Sequence, residues 1–219
     1  MIKCFIIHFN RPTFLARQLD VLMQNKELDL IVVDNGSAYT PLVPKGVELL
    51  LINKNYGHTV VWDSGMSKMV APNEKYIVTD CDIIPPNCDY LKLLNEGLDK
   101  YPHINKVGLE LNISRIPKAY HKRAEVVNHE KKVLYRKEIK DKNFVECGVD
   151  TTFALYREGY HNYSVWGTDT NEWQGKCLSL RTKKIEADHL GWHVIKPYDE
   201  ETQFYFNSIR HLPIAQWKD

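Results

Sequence analysis

Two aspartates separated by one residue follow an apolar segment in the stretch KYIVTDCDIIP, residues 75–85. If this stretch is one extended strand, Asp80 and Asp82 point to the same side, with alpha carbons roughly 6.6 Å apart. Two carboxylates that close repel each other, which raises the pKa of one of them unless a cation lies between. Carboxylate oxygens suit hard divalent cations, and Mg²⁺ is usually held by one or two carboxylates together with substrate phosphates. The pair therefore indicates a divalent metal site that a phosphorylated ligand completes.

Further polar side chains follow the other apolar segments. The first such segment is followed by His8, Asn10 and Arg11, and the second by Asp34. In a parallel α/β sheet, ligands bind beyond the carboxyl ends of the strands. The sequence therefore predicts one cleft that contains several carboxylates.

Segments with the apolar pattern of strands alternate with segments of helical spacing over the first half of the chain. We predict strands at residues 2–9, 28–37, 47–55, 75–85 and 106–112. We predict helices at residues 12–25, 57–70 and 89–102, with Gly65 a weak point in the second helix. This alternation predicts an α/β fold with a mostly parallel central sheet flanked by helices, in a single domain.

The second half of the chain is less regular. Residues 115–142 carry ten lysines and arginines against four aspartates and glutamates. We predict a solvated loop or hairpin there, with a loop that faces an acceptor or an anionic surface as the alternative. A strand is predicted at 151–156, and the aromatic-rich segment 200–217 is a candidate cover for the cleft.

Composition excludes several classes of protein. The chain of 219 residues is 43% hydrophobic and 26% charged, with a net charge of +1, so no overall field attracts nucleic acid or anionic lipid. No apolar run reaches the ~18 residues of a transmembrane helix, and the first residues fit a strand better than a signal peptide. Five cysteines without a CxxC pair favour a reducing compartment, so we expect a cytoplasmic protein without a disulfide framework.

The segment TDCDIIP resembles the Asp-x-Asp motif of nucleotide-sugar-dependent glycosyltransferases with the GT-A fold. The ordered set FIIHFNRPTFLARQLDVL, IVVDNGS, NKNYGH and TDCDIIP is similar to the donor half of family 2-like glycosyltransferases. VDTTFALYR and ADHLGWHV resemble segments of a small bacterial and viral subgroup of these enzymes. The resemblance implies a single GT-A domain, with a nucleotide-sugar half at 1–110 and an acceptor half at 111–219. It also implies a nucleotide-sugar donor, most commonly a UDP-sugar, and a hydroxyl acceptor in glycan or polysaccharide synthesis.

The resemblance further implies which residues bind the metal and the nucleotide. Asp80, Asp82 and His189 correspond to the ligands of Mn²⁺ or Mg²⁺, and His193 competes with His189 because Asp188 and Gly191 depart from the family pattern. Asp34 corresponds to the acid that contacts the nucleoside base or ribose. The implied nucleotide-binding positions are Phe9, Asn10, Arg11, Asp34, Asn55, Gly57, His58, Asp80 and Cys81. Strand alternation directs the side chain of Cys81 into the core.

Two acids are candidates for the chemical step. Asp82 would act through the metal, which stabilises the charge that builds on the leaving diphosphate. In an inverting enzyme, Asp150 is our candidate for the general base that deprotonates the acceptor hydroxyl, with Asp169 second. In a retaining enzyme, no such base is required, and Asp150 would bind the donor sugar. The sequence leaves both outcomes open.

Three other functions compete with glycosyl transfer. A sugar nucleotidyltransferase needs a glycine-rich phosphate loop with a basic residue near the N-terminus, and the segment HFNRPTF has Arg11 but no glycine. A catalytically silent nucleotide-sugar-binding module would not need the acids and His189 that are present. A Rossmann dehydrogenase is disfavoured because no GxGxxG follows the first strand.

Overall fold

The computed structural model describes residues 1–133, 136–161, 170–171 and 176–210. The second candidate base, Asp169, lies outside the described residues. The strands are β1 (Ile2–His8), β2 (Leu28–Asn35), β3 (Glu48–Ile52), β4 (Tyr76–Asp80), β5 (Ile83–Ile84), β6 (Lys106–Leu111), β7 (Arg136–Lys137), β8 (Phe144–Cys147), β9 (Thr152–Tyr156), β10 (Thr170–Asn171), β11 (Lys176–Cys177) and β12 (Ser179–His189). The α-helices are α1 (Pro12–Leu22), α2 (Val60–Asp63), α3 (Tyr90–Lys100), α4 (Arg123–Asn128) and α5 (Glu200–Ile209).

One large mixed sheet organises the chain, in the order β3-β2-β1-β4-β9-β6-β12-β8-β7. β3, β2, β1 and β4 are parallel, whereas β9 is antiparallel to both of its neighbours, β4 and β6. β12 is parallel to β6, and β8 and β7 complete the sheet in antiparallel pairs. The predicted α/β class, with helices flanking a central sheet, is confirmed, and the sheet is parallel in part. Because β9 lies between β4 and β6, the two halves of the sequence interleave in one sheet.

The central strands are buried on both faces. In β1, Cys4 and Ile6 pack on one face with Leu15 of α1 and Leu94 of α3. Phe5 packs on the opposite face among residues of α2 and of the neighbouring strands. Successive side chains of a strand point to opposite faces, so a strand covered on both faces is apolar almost throughout. The polar residues that follow such strands are therefore confined to the ends.

The predicted strand at 75–85 is shorter in the structure. β4 ends at Asp80, residues 81–82 form a turn, and β5 resumes at Ile83. The prediction that Asp80 and Asp82 share one strand is therefore wrong, because the chain turns between them. Gln18 of α1 fixes this turn, since its buried amide donates to the carbonyl oxygens of Asp80 at 2.8 Å and Ile83 at 2.6 Å.

Two other segments differ from the prediction. The helix predicted at 57–70 is divided into a 3₁₀ turn, the short α2 and a second 3₁₀ turn at Met66–Met69, because Gly65 takes a left-handed backbone with φ of 81°. The basic segment 115–142, predicted as a loop or hairpin, contains the helix α4, and its end forms an antiparallel hairpin in which β7 pairs with β8. Within the part of the chain that the structure describes, no helix is long and apolar enough to cross a membrane.

A buried ion pair supports β12, the strand that ends at His189. The guanidinium of Arg181 donates to Glu130 at 2.7 Å and to the carbonyl oxygen of Gly148 at 2.9 Å. Burial opposes the charge of Glu130, but the nearby Arg181 and His129 outweigh it and lower the pKa of this carboxyl from 4.5 to about 2. Such a pair is stable only while both partners are charged, because one buried charge left alone is costly.

We predict that Glu130→Gln destabilises the fold in a pH-dependent way. At pH 7 the free energy of unfolding should fall by about 3 kcal/mol, since Arg181 loses its hydrogen-bonded carboxylate and Glu110, 3.8 Å away, compensates only in part. The pKa of Glu130 is lowered on folding, so its contribution is complete above 4.5 and is lost as the pH falls towards about 2. Urea unfolding of wild type and variant between pH 7 and pH 3 measures this convergence.

Glu125→Gln is the matched control, because Glu125 is exposed on the neighbouring helix α4 and pairs with Lys122 only at the surface, at 3.6 Å. A difference of less than about 0.5 kcal/mol is expected for this control. An equal loss in both variants, or a loss for Glu130→Gln that does not depend on pH, would contradict the role of the buried pair.

Candidate active site

The site lies where four elements of the sheet end or begin. β1 and β4 end side by side at His8 and Asp80, and β9 begins beside β4. The long strand β12 continues past β6 and pairs with β5, which places His189 opposite Ile83. The topology thus brings both acids of the Asp-x-Asp pair together with the late histidine.

Asp150 and Thr151 lie just before β9, and Thr151 contacts Asp80. The backbone N–H of Asp80 donates to the carbonyl oxygen of Thr151 at 2.7 Å, and the Thr151 hydroxyl donates to the Asp80 carboxylate at 2.8 Å. The pairing of β4 and β9 shifts register beside this point, where Phe153 has a left-handed φ of 115°. A bulky residue in that region is strained, and bulges of this kind often redirect a side chain near a functional site.

The sequence suggested that neighbouring carboxylates repel each other, and the pKa of Asp80 is the one affected. Burial, together with the charges of Asp82 and Asp150, raises its pKa well above the ordinary value, although the Thr151 hydrogen bond and Arg11 oppose this. Asp150 directly precedes Thr151, the residue whose hydroxyl is bonded to the Asp80 carboxylate. The three acids form one cluster at the ends of β4 and β9.

Asp82 is almost completely buried, and Arg11 neutralises it. One guanidinium nitrogen of Arg11 is hydrogen-bonded to Asp82 Oδ2, and Nδ1 of His189 lies 3.5 Å from the same oxygen. Burial works against the charge of Asp82, but the charges of His189 and Arg11 outweigh it and lower the pKa of the carboxyl. Of these two partners, Arg11 is the one that stays protonated at every physiological pH.

The late histidine near the acids is His189. Its ring stacks on Trp192 with centroids 4.4 Å apart, and burial lowers its pKa although the charge of Asp82 opposes this. Gly191 leaves the space beside it, because a Cβ there would lie 2.7 Å from Asp82 Oδ2 and 2.9 Å from the His189 ring. Burial lowers the pKa of His193 as well, and the charge of Asp188 opposes this.

Arg11 lies under the C-terminal helix α5. Its guanidinium carbon is 3.7 Å from the centroid of the Tyr205 ring and 4.9 Å from that of Phe14. Two hydrogen bonds join this loop and the first turn of α1 to α5: Asn10 Nδ2 donates to Ser208 Oγ at 3.2 Å, and the Thr13 N–H donates to Glu201 at 2.9 Å. The described part of the aromatic C-terminal segment, up to residue 210, therefore covers Arg11, which is itself bonded to Asp82.

The loops after β1 and β2 are tied together by the acid that the resemblance assigns to the nucleoside. Asp34 Oδ1 accepts from His8 Nδ1 at 2.8 Å, and Oδ2 accepts from the Ser37 N–H at 3.3 Å. The Arg11 N–H donates to His8 Nε2 at 3.2 Å, which places the ring proton on Nδ1. In this arrangement both oxygens of Asp34 are used inside the protein.

The remaining predicted nucleotide positions line the neighbouring loops. Asn35 donates to the side-chain oxygen of Asn55 at 3.0 Å and to the Gly57 carbonyl at 2.8 Å, which brings segment 55–57 beside the end of β2. Asn10, with a left-handed φ of 52°, accepts from the Ala38 N–H. Phe9 and His58 lie in the same loops. Cys81 is buried in the core as predicted, so any contact with a nucleotide would come from its backbone.

The carboxylates and the imidazole that meet at this site are suitable ligands for a divalent cation. The conformation of Arg11 in this structure is not compatible with one. Carboxylates with one neutral imidazole suit Mn²⁺ or Mg²⁺, and Gly191 keeps the space between Asp82 and His189 open. In this conformation, however, Arg11 is bound to Asp82. Among the described residues, no three His, Cys, Asp or Glu side chains are arranged to hold a metal ion.

Sequence reasoning did not identify several residues that shape the site. Thr151 and Gln18 position Asp80 and its turn, and Tyr205 covers Arg11. The only signal for Tyr205 was the aromatic composition of the C-terminal segment. The sequence indicates the role of Gln18 only weakly, as one polar residue among apolar ones on the inner face of a predicted helix.

Among known proteins, matches to this chain were found in the comparison with solved structures and not in the comparisons of sequence. No known family and no curated protein matches the sequence. The chain is similar to a mycobacterial protein of known structure, with a TM-score of 0.51 and 13% identity over 83% of this chain and 64% of that one. This likeness shows a shared fold.

Two further solved structures are similar at lower scores. Glucosyl-3-phosphoglycerate synthase from Mycobacterium tuberculosis, in complex with Mn²⁺ and UDP-glucose, has a TM-score of 0.46 and 15% identity over 72% of this chain and 56% of that chain. Apo UDP-glucose pyrophosphorylase has a TM-score of 0.46 and 10% identity over 95% of this chain and 99% of that chain. This chain thus spans little more than half of the mycobacterial synthase.

We predict that His189→Ala weakens Mn²⁺ binding and that His193→Ala does not. Mutating residues that only support metal ligands typically weakens metal binding about tenfold or more. Loss of the proposed imidazole ligand itself should therefore raise the Kd for Mn²⁺ at least about tenfold. His193→Ala is a natural control, since it removes the same side chain from a position that faces other charges. Titration with Mn²⁺, followed by the electron paramagnetic resonance of the free ion, measures both variants. Weaker binding in His193→Ala alone would reverse the ligand assignment.

Proposed function

We propose that the chain is a glycosyltransferase that transfers a sugar from a nucleotide-sugar donor to an acceptor hydroxyl. The preferred donor is a UDP-sugar, and the reaction depends on Mn²⁺ or Mg²⁺. The observation that carries this proposal is the cluster of Asp80, Asp82, Asp150 and His189 where β4, β9 and β12 meet. Such a cluster of acids beside one imidazole is suited to a cation and a diphosphate. The resemblance of the ordered sequence segments to GT-A enzymes supports the same assignment.

Each part of the site has a place in this reaction. Asp80, Asp82 and His189 would hold the cation, which supplies Lewis-acid stabilisation of the leaving diphosphate when bound. The loops after β1 and β2 would hold the nucleoside, and the Asp34–His8 pair keeps these loops together. We propose that residues 1–110 provide most of the donor contacts and residues 111–219 the acceptor contacts.

Asp150 is the proposed group for the acceptor. Its Oδ1 accepts from the N–H of Thr151 at 2.9 Å, and the hydroxyl of Thr151 is in turn bonded to Asp80. In an inverting reaction, Asp150 would take the proton of the attacking hydroxyl. In a retaining reaction, it would bind the donor sugar instead.

The test of the proposed function is a calorimetric titration of UDP into the protein, with Mn²⁺ and again with EDTA. Binding that requires Mn²⁺ and is lost in Asp82→Asn supports the proposal. Asp99→Asn, which changes an exposed acid on α3 that pairs with Lys75, should bind UDP as the wild type does. UDP affinity in Asp82→Asn equal to that of the wild type would overturn the metal role. Failure of UDP, GDP and dTDP alike to bind would overturn the proposed function.

For Asp150→Asn, we expect a larger loss in turnover than in donor binding. The amide can still accept the Thr151 hydrogen bond but cannot take a proton, so turnover should fall about 10²-fold or more. The Kd for UDP with Mn²⁺ should change little. Release of UDP from UDP-glucose, UDP-galactose and UDP-N-acetylglucosamine measures turnover. Equal turnover in variant and wild type would remove Asp150 from the role of base.

A further inference from the structure

We propose that helix α5 is a latch that holds Arg11 on Asp82, and that a divalent cation binds Asp82 only when Arg11 leaves. This inference rests on the proposed metal-dependent function, and it concerns how access to that site is controlled. It also changes the role of Arg11, which the sequence resemblance placed in the loop that borders the base.

The first step is that the two cations exclude each other. Arg11 is bound to Oδ2 of Asp82, the same oxygen that faces His189 Nδ1 at 3.5 Å. A metal ion shared by Asp82 and His189 would therefore lie within a few ångströms of the guanidinium. Like charges that close, in a site with little water, repel strongly. Asp82 thus has either Arg11 or the metal ion as its partner.

The second step is that α5 holds Arg11 in place. The Tyr205 ring covers the guanidinium at 3.7 Å, and Ser208 and Glu201 accept hydrogen bonds from Asn10 and Thr13, on either side of Arg11. These three contacts come from one face of a single ten-residue helix. A cation over an aromatic face is most stabilised where water is excluded, as it is here beside buried Asp82.

The third step is that α5 is attached to the rest of the described chain through side chains alone, with Thr202, Phe206 and Ile209 buried on one face. Its first turn is capped by its own residue Asp199, which accepts from the Thr202 N–H at 2.7 Å. Its contacts with the loop after β1 are side-chain hydrogen bonds and ring contacts, not strand pairing. Phe204, in the middle of the helix, is 42% exposed. Such an element opens at a lower free energy than the sheet beneath it.

The test is the affinity for Mn²⁺ alone, without nucleotide, in wild type and in variants of Tyr205. Tyr205→Leu keeps an apolar side chain but removes the ring, so the Kd for Mn²⁺ should fall roughly threefold to tenfold. Tyr205→Phe keeps the ring and should bind as the wild type does. Asn207→Ala is the matched control, because Asn207 is exposed on the same helix. Ser208→Ala, a milder change, should tighten binding in the same direction as Tyr205→Leu.

A second readout follows the helix itself. Adding Mn²⁺ to the wild type should speed hydrogen exchange of the Thr13 amide, whose hydrogen bond to Glu201 depends on α5 being in place. Equal Mn²⁺ affinity in wild type and Tyr205→Leu would overturn the latch and leave the proposed function standing, as would slower exchange of Thr13 with Mn²⁺. An absence of Mn²⁺ binding in every variant would overturn the latch together with the metal requirement and would make Arg11 the permanent partner of Asp82.

Discussion

The ion pair between Arg11 and Asp82 is the interaction on which the arrangement of the site depends. Three carboxylates gather where β4 meets β9, and burial together with the charges of Asp82 and Asp150 raises the pKa of Asp80. Without a positive charge, Asp82 would be a buried anion beside two other acids, which is costly. The guanidinium supplies that charge, and the same side chain carries the contact to α5. The position of the C-terminal helix therefore depends on the same arginine that neutralises Asp82.

The backbone around the acids is held independently of that charge. Gln18 bonds two carbonyl oxygens of the turn between β4 and β5, and the Asp80 N–H is bonded to Thr151. The Leu190 N–H donates to the carbonyl oxygen of Asp82 at 2.7 Å, which ties the end of β12 to the same turn. These bonds connect three elements that are distant in sequence. A change of partner at the Asp82 carboxylate can thus occur without loss of the scaffold that carries it.

The elements that local pattern determines were predictable, and those that depend on distant pairing were not. Periodicity located the strands of the first half and the amphipathic helix α3, because each is defined by its own buried face. The insertion of β9 between β4 and β6 carries no local signal, since it is decided by which strands pair across the sheet. The same holds for the site: strand ends located Asp80, Asp82 and Asp34, but the contact of Arg11 with Tyr205, 194 positions apart, exists only in the folded chain. Alternation also misplaced Asp82, because a turn fixed by Gln18 replaces the expected strand.

If Arg11 and a divalent cation exchange at Asp82, as we propose, an arginine is well suited to this position. Under the proposed function, a divalent ion would arrive with the diphosphate of the donor, so a guanidinium displaced from Asp82 would have phosphate oxygens nearby to accept its hydrogen bonds. Arginine is permanently protonated and binds carboxylate and phosphate oxygens equally well through its planar fork. A lysine would carry the same charge without that geometry, and a histidine in so buried a site would lose its proton, as the lowered pKa of His189 illustrates. Under the proposed function, Arg11 therefore keeps the acids neutralised in the empty site and retains a partner in the loaded one, and α5 determines which of the two it contacts.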